Sequence, residues 1–245
     1  MPQSNHRCRK LVLPAKVFEI KEQAELNLVA MKFKNFREES PYQTESGENI
    51  ILVTEILDLE LDEDSISGIF SQDFVRRRYY RRQLVETPVS EEALFKIKSF
   101  RDRTFLIVMA PSVARGVKML LTGTVANKIS QIIFIRPHVI VEARMPNETL
   151  RNLHESNPQA TKLIWFDDVD IPGVEKLCLA GSDLVDTQLY HEYLQHGRIW
   201  YVVFEVQKYG VVVGISRNCV ITLFSKSTTN EFIDYITDDI FSLIQ

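Results

Sequence analysis

The sequence has few cysteines and no long apolar run, and these two features exclude several classes of protein. Its three cysteines in 245 residues, Cys8, Cys178 and Cys219, lack the CxxC spacing of a zinc ribbon. They are also too few for a disulfide framework, so we expect a reducing, cytoplasmic environment. The apolar runs, such as residues 105–110, fall far short of the roughly 20 residues that a membrane helix requires, and no secretory leader is visible. We therefore expect a soluble protein without membrane insertion.

The overall charge also excludes one class of function. With 29 lysines and arginines against 33 aspartates and glutamates, the net charge is −4. A chain of this charge does not coat nucleic acid through its overall field, so any polyanion must bind to a local basic surface. The hydrophobic fraction of 45% and the charged fraction of 25% are typical of an ordinary globular protein.

The hydrophobic pattern predicts an α+β fold with mainly antiparallel sheets and flanking helices. Its clearest part is C-terminal, where three strands joined by short turns form a β-meander that a final amphipathic helix caps. The spacing of Phe232, Ile236, Ile240 and Leu243 places these residues on one face of that helix. We predict strands at residues 10–20, 26–36, 49–61, 104–110, 131–136, 138–144, 161–166, 174–179, 199–206, 211–216 and 219–224. We predict a long loop at 37–48 and helices at 90–100, 111–121, 147–155, 186–196 and near the C-terminus.

The domain division is less marked than the elements. We expect a strand-rich N-terminal lobe over residues 1–100 and a second α+β lobe over residues 101–245, with one single domain as the alternative. No linker of distinctive composition separates the two lobes.

The most unusual feature is a run of seven consecutive residues that we call the arginine–tyrosine segment. Arginine forks make paired hydrogen bonds to phosphate or carboxylate, and tyrosine rings stack on bases or guanidinium planes. The segment is therefore a candidate surface for nucleic acid or another anion. It consists of Arg76, Arg77, Arg78, Tyr79, Tyr80, Arg81 and Arg82.

Two alternatives leave this segment without a ligand. In the first, residues 50–62 and 74–85 are antiparallel neighbours, and carboxylates of the acidic stretch Glu55 to Asp64 neutralise the arginines across the strands. The facing rows would be Asp58, Glu60 and Asp62 beside Arg76, Arg78 and Arg82. In the second alternative, the segment is the solvated face of a helix that begins after Ser65.

Two other places carry weaker chemical signals. Asp167, Asp168 and Asp170 follow a predicted strand, and clustered carboxylates are the oxygen ligands that Mg²⁺ prefers. Ser112 and Arg115 lie at a predicted helix start, where backbone N–H groups can bind phosphate. Neither place has a recognised motif spacing, and the sequence contains no GxSxG elbow, HExxH pair or glycine-rich phosphate loop.

Together these observations favour a non-catalytic protein that binds an anionic partner, with nucleic acid preferred, through the arginine–tyrosine segment and without a cofactor. One alternative is a metal-dependent enzyme that acts on a phosphorylated or nucleic-acid substrate at the aspartate cluster. Another is a homodimeric interaction module that pairs through exposed strand edges.

Overall fold

The structure is a computed structural model that describes residues 12–109, 123–225 and 227–244. The predicted helix at residues 111–121, with Ser112 and Arg115, lies outside the described residues, as does Cys8. The chain divides into two compact units. The arm unit comprises residues 15–142, and the described part of the meander unit comprises residues 12–14 and 143–244. The expected division at residue 100 falls at a tight turn inside the arm unit.

The arm unit contains an antiparallel sheet with the strand order β2-β3-β4-β5-β6-β1, and β7 also pairs with β1. Two helices cross one face of this sheet, and the T-shaped contact between Phe33 and Phe95 joins helix to sheet. The strands are β1 (Leu13–Ile20), β2 (Arg37–Gln43), β3 (Asn49–Leu61), β4 (Ser65–Tyr80), β5 (Gln83–Phe100), β6 (Arg103–Met109) and β7 (Ile140–Glu142), and the helices are α1 (Leu26–Phe33) and α2 (Val125–Phe134).

Four predictions for the arm unit are wrong. Residues 26–36 form helix α1 instead of a strand, because Val29 and Phe33 lie one helical turn apart and are both buried. Residues 131–136 fall mostly in helix α2, whose buried Ile129 and Ile133 override the strand preference of β-branched residues. The expected loop at 37–48 contains strand β2, and the expected helix at 90–100 is part of strand β5.

The last two errors have different causes, namely the position of β2 in the sheet and the spacing of the buried residues in β5. Strand β2 is at the edge of the sheet, where Pro41 is tolerated because its missing N–H is not needed for pairing. In β5, Ala93, Phe95 and Ile97 are fully buried at alternate positions, which is the period of a strand. The prediction of a buried strand at 104–110 is confirmed by β6.

The meander unit has the strand order β12-β11-β10-β8-β9, again with antiparallel pairing throughout. The predicted C-terminal meander is confirmed, since β10 pairs with β11 and β11 pairs with β12. The elements are α3 (Asn147–Glu155), β8 (Thr161–Asp167), β9 (Leu177–Ala180), α4 (Gln188–His196), β10 (Arg198–Val206), β11 (Val211–Ser216), β12 (Val220–Leu223) and α5 (Thr229–Tyr235).

Side chains cap the starts of two helices in this unit. Helix α5 begins at a capping box in which Thr228 and Glu231 satisfy each other's backbone N–H groups. It then continues as a π-helical turn, Ile236–Ile240, that buries Ile236 and Ile240. The helix predicted at residues 186–196 is α4, which begins two residues later because Thr187 caps it. Cys219 is buried in the turn before β12 with a φ of 53°, so the predicted strand at 219–224 begins one residue later.

Candidate nucleic-acid interface

The arginine–tyrosine segment lies in the longest hairpin of the protein, formed by strands β4 and β5. Among the described residues, β3 pairs with β4 no further than Gln72, and β6 pairs with β5 only from Leu94 onward. The pairing of β4 with β5 continues from this point to Tyr80 and Gln83. Residues 73–90 therefore form a two-stranded ribbon with which no other described strand pairs, and we call this ribbon the arm.

The pairing of β3 with β4 ends at a hydrogen bond between a backbone N–H group and the side chain of Asp73. One carboxylate oxygen of Asp73 accepts a hydrogen bond of 2.9 Å from the backbone N–H of Val53, and the other accepts one from the hydroxyl of Ser90. A side chain thus occupies the place where a β4 carbonyl would continue the pairing. The two strands separate at Asp73, and the arm begins there.

The arm contradicts both alternatives for the arginine–tyrosine segment. The segment is a strand and not a helix, and its neighbour is β5, with Arg78 opposite Val85. The acidic residues of β3 lie beside the base of β4, where Glu60 stands opposite Ser67. The expected rows of Asp58, Glu60 and Asp62 against the arginines are therefore wrong, because the two sets occupy different lengths of the sheet.

Side chains alternate between the two faces of the arm, as in any strand. Arg76, Arg78 and Tyr80 share one face, which we call the arginine face. Arg77 and Tyr79 lie on the opposite face, beside Glu86 and Leu84. The two tyrosines therefore point in opposite directions, although they are adjacent in the sequence.

Arg77 is neutralised within the protein. Its Nε atom donates to Oε1 of Glu86 at 2.8 Å, and its Nη2 atom donates to the hydroxyl of Tyr42 at 3.0 Å. Glu45 adds a weaker ion pair at 3.9 Å. Although Arg77 stays half-exposed, its charge already has two carboxylate partners.

Glu86 is the centre of this cluster. Its side chain is only 4% exposed, and it accepts hydrogen bonds from the Glu45 backbone N–H, the Tyr42 hydroxyl and Arg77. These three donors, the backbone N–H of Glu45 above all, lower the pKa of Glu86 below its usual range. The carboxylate thus fastens the arm to the turn that joins β2 and β3.

The remaining arginines differ in how they are paired. Arg76 has one long ion pair, with its Nη2 atom 3.8 Å from Oε1 of Glu91. Arg78, Arg81 and Arg82 are exposed and make no ion pair with any residue that the structure describes. The guanidinium of Arg81 lies over the ring of Tyr80, 5.4 Å from its centroid. The free positive charge of the arm is therefore concentrated on the arginine face and at the tip.

The tip is a turn whose backbone does not suit its residues. Tyr80 pairs with Gln83, so Arg81 and Arg82 are the two central residues of the hairpin turn, with φ of 50° and 67°. Two positive φ values are typical of a type I′ turn, in which Asn-Gly is preferred. An L-residue in the left-handed region costs roughly 1–2 kcal/mol. Two arginines at these positions are unfavourable for the turn itself, which points to a role outside folding.

The aromatic side chains of the segment are open to solvent. Tyr79 is 81% exposed and Tyr80 is 58% exposed. Large exposed rings are uncommon in a position that contributes nothing to the core, and they are suited to contact with a partner. Composition alone identified the segment, but it did not identify Tyr42, Glu45 and Glu86, which decide which arginine is free.

The aspartate cluster has a different arrangement. Asp167 and Asp168 both contact Arg217, at 2.8 and 3.4 Å, and Asp170 contacts Nδ1 of His196 at 2.8 Å. Burial raises the pKa of Asp167, and the nearby Arg217 opposes that change. Within residues 12–109, 123–225 and 227–244, no three histidine, cysteine, aspartate or glutamate side chains are grouped as metal ligands. The three carboxylates are held by two separate partners, Arg217 and His196, and do not converge.

No protein-family model matches the chain, and no curated protein matches it. In the described part of the chain, no helix is long and apolar enough to cross a membrane.

Proposed function

We propose that this protein binds nucleic acid through the arm, in a non-catalytic role, with Arg78, Arg81 and Arg82 as the main phosphate contacts. The observation that carries the proposal is the tip, where Arg81 and Arg82 occupy strained backbone positions and have no carboxylate partner among the described residues. Guanidinium groups bind phosphate oxygens through paired hydrogen bonds, and an extended tip can reach a polymer without contact from the rest of the protein.

The local charge of the arm supports a polyanion as the partner. Residues 73–90 contain five arginines but only two carboxylates, Asp73 and Glu86. Both carboxylates are already hydrogen-bonded inside the protein. A basic arm on an acidic protein gives local attraction for phosphates without general adhesion to anionic surfaces.

The experiment compares the wild type with the triple variant Arg78→Ala, Arg81→Ala, Arg82→Ala. Binding to a fluorescein-labelled oligonucleotide is measured by polarisation over a range of salt concentrations. We expect the triple variant to bind more weakly with every sequence tested. The slope of log affinity against log salt should flatten by about 0.7–0.9 for each phosphate that the variant no longer binds.

A control with the same loss of charge separates the arm from the overall field. Lys34→Ala, Arg144→Ala and Arg198→Ala remove three exposed cations outside the arm, none of which makes an ion pair with a described residue. This triple variant should keep the wild-type slope. Equal weakening in both triple variants, or no binding of the wild type at low salt, contradicts the proposal. Binding of the arm to anionic vesicles with no binding to oligonucleotides would assign it to a lipid surface instead.

The metal-dependent alternative has less support from the contacts. Asp167 and Asp168 would have to release Arg217 before both could bind a divalent ion. No observation among the described residues favours that exchange, so the arm remains the preferred site.

A further inference from the structure

The two faces of the arm differ in charge, and this difference bears on the class of nucleic acid. A ribbon inserted into a duplex groove has a phosphate wall on each side. On the arginine face such a wall would meet Arg76 and Arg78. On the opposite face it would meet Arg77 already neutralised by Glu86, with Glu45 also nearby. Only one face and the tip are therefore suited to phosphates.

The arginine face also contains an exposed aromatic ring, Tyr80, that could serve as a stacking platform beside free cations. Tyr80 lies on the same face as Arg78, two residues away and thus about 7 Å along the strand. Arg81 covers part of its ring, and the ring remains 58% exposed. A row of cations beside an aromatic ring is how proteins hold a single strand, with the backbone on the cations and a base on the ring.

Tyr79 does not belong to this arrangement. It points to the opposite face, where it is paired across the strands with Leu84. The nearest arginine on that face is Arg77, whose charge is satisfied. A base stacked on Tyr79 would therefore lie on a side of the arm without a free cation for its phosphate.

From these contacts, we infer that the partner of the arm is single-stranded nucleic acid, held along the arginine face with an unpaired base stacked on Tyr80. This inference rests on the proposed function. A base in a duplex is already stacked and paired on both sides, so it is not available to the Tyr80 ring without the cost of unstacking. The arm thus selects for strands whose bases are free.

The test uses the whole 245-residue chain and four single variants, with labelled oligo(dT) of 12 nucleotides and a 12-base-pair DNA duplex as probes. We expect oligo(dT) to bind at least tenfold more tightly than the duplex at the same salt concentration. Tyr80→Ala should weaken oligo(dT) binding about five- to a hundredfold, which is the range for loss of one base–aromatic stack. Tyr80→Phe should bind as the wild type does, because it keeps the ring. Tyr79→Ala should remain within twofold of the wild type.

The salt dependence distinguishes stacking from phosphate contact. Tyr80→Ala removes no charge, so its affinity should fall at unchanged slope, whereas Arg78→Ala should flatten the slope by about 0.7. Tighter binding of the duplex, or equal losses in Tyr79→Ala and Tyr80→Ala, overturns the single-strand inference but leaves the proposed function in place. If neither probe binds at low salt, or if removal of Arg78, Arg81 and Arg82 has no effect, the proposed function itself fails.

Discussion

Arg77 and Glu86 face each other directly across the arm, and their contact of 2.8 Å joins the two strands at the point where Tyr42 and Glu45 also reach the ribbon. This pair removes one of the five arginines from the surface charge. It also fixes which face of the arm carries unpaired positive charge. Without Glu86, Arg77 would add its charge to the opposite face, and the arm would no longer be one-sided.

The first prediction concerns the pH dependence of this cluster. The folded-state pKa of Glu86 is lower than the unfolded value of about 4.3, so the folded protein binds fewer protons. The stability that Glu86 contributes is therefore present above about pH 4.3 and is lost as the pH falls through the folded pKa. We expect Glu86→Gln to lower the melting temperature at pH 7, and this difference should vanish in strong acid.

The measurement is a series of thermal melts between pH 2 and pH 7. Glu192→Gln, which removes an exposed carboxylate from helix α4, serves as the control and should follow the wild type. A difference between Glu86→Gln and wild type that persists unchanged into strong acid would contradict the ionised state assigned to Glu86.

The second prediction concerns strain at the tip. Arg81→Asn with Arg82→Gly supplies the residues that a type I′ turn prefers. Relief of the left-handed positions should stabilise the protein by about 1–2 kcal/mol, or a rise of a few degrees in melting temperature. The same variant should bind oligonucleotides less well, because two cations are removed.

The matched control for the tip is Arg81→Ala with Arg82→Ala. This variant removes the same two charges but keeps a Cβ atom at both positive-φ positions, so it should gain little or no stability. Equal stabilisation of both variants would show that charge repulsion, and not backbone strain, destabilises the turn.

The third prediction concerns His154, which is fully buried in helix α3. Neither of its ring nitrogens has a hydrogen-bond partner among the described residues, and its ring packs edge-on against Tyr190 at 4.8 Å between centroids. Burial lowers the pKa of His154, although the charge of Glu155 opposes this. Because the folded state disfavours protonation, its stability should be complete above the unfolded pKa of about 6.5 and fall as the pH drops below that value.

The substitution His154→Phe separates the contribution of His154 to the pH dependence of stability from that of the titrating groups near it. Tyr190 donates to Glu155, and Glu155 also pairs with Arg151, so this network remains when the imidazole is removed. We expect His154→Phe to be at least as stable as wild type at pH 7 and to lose part of the stability change between pH 7 and pH 5. His191→Gln, at an exposed position next to Tyr190, should keep the wild-type profile.

The fourth prediction concerns a close approach in the meander. A Cβ atom at Gly214 would overlap the hydroxyl oxygen of Tyr201 on the neighbouring strand. Gly214→Ala should therefore displace that ring and cost about 1–3 kcal/mol, as overpacking usually does. Denaturant unfolding of Gly214→Ala, Tyr201→Ala and the double variant measures this, and the double variant should cost less than the sum of the two.

The sequence predicted the parts of the fold that depend on local signals. The meander was evident because turns such as Arg217-Asn218 are too short for a parallel crossover. The base of β5 was missed because Ser90, Glu91 and Glu92 imitate the start of a helix. What decides β5 is the burial of alternate side chains against α1 and α2, and this burial appears only after the helices are placed.

The candidate site, like the fold, was predictable only in part. Its composition identified the arginine–tyrosine segment, but the partner of Arg77 depends on strand register. Glu86 is only nine residues away, yet it was not recognised, since the acidic stretch near Asp58 offered more carboxylates. The opposite directions of Tyr79 and Tyr80 likewise follow only from the hairpin pairing.

The boundary of the hydrophobic core has a consequence for how this protein can change. Between Phe70 and Ala93, no apolar side chain of the described structure is buried. Substitutions at the exposed positions of the arm therefore meet no packing penalty from the core, and these positions can accumulate mutations that would unfold the sheet elsewhere. The ligand preference proposed for the arm can therefore evolve, or be redesigned by grafting another hairpin after Asp73, while the scaffold below it stays intact.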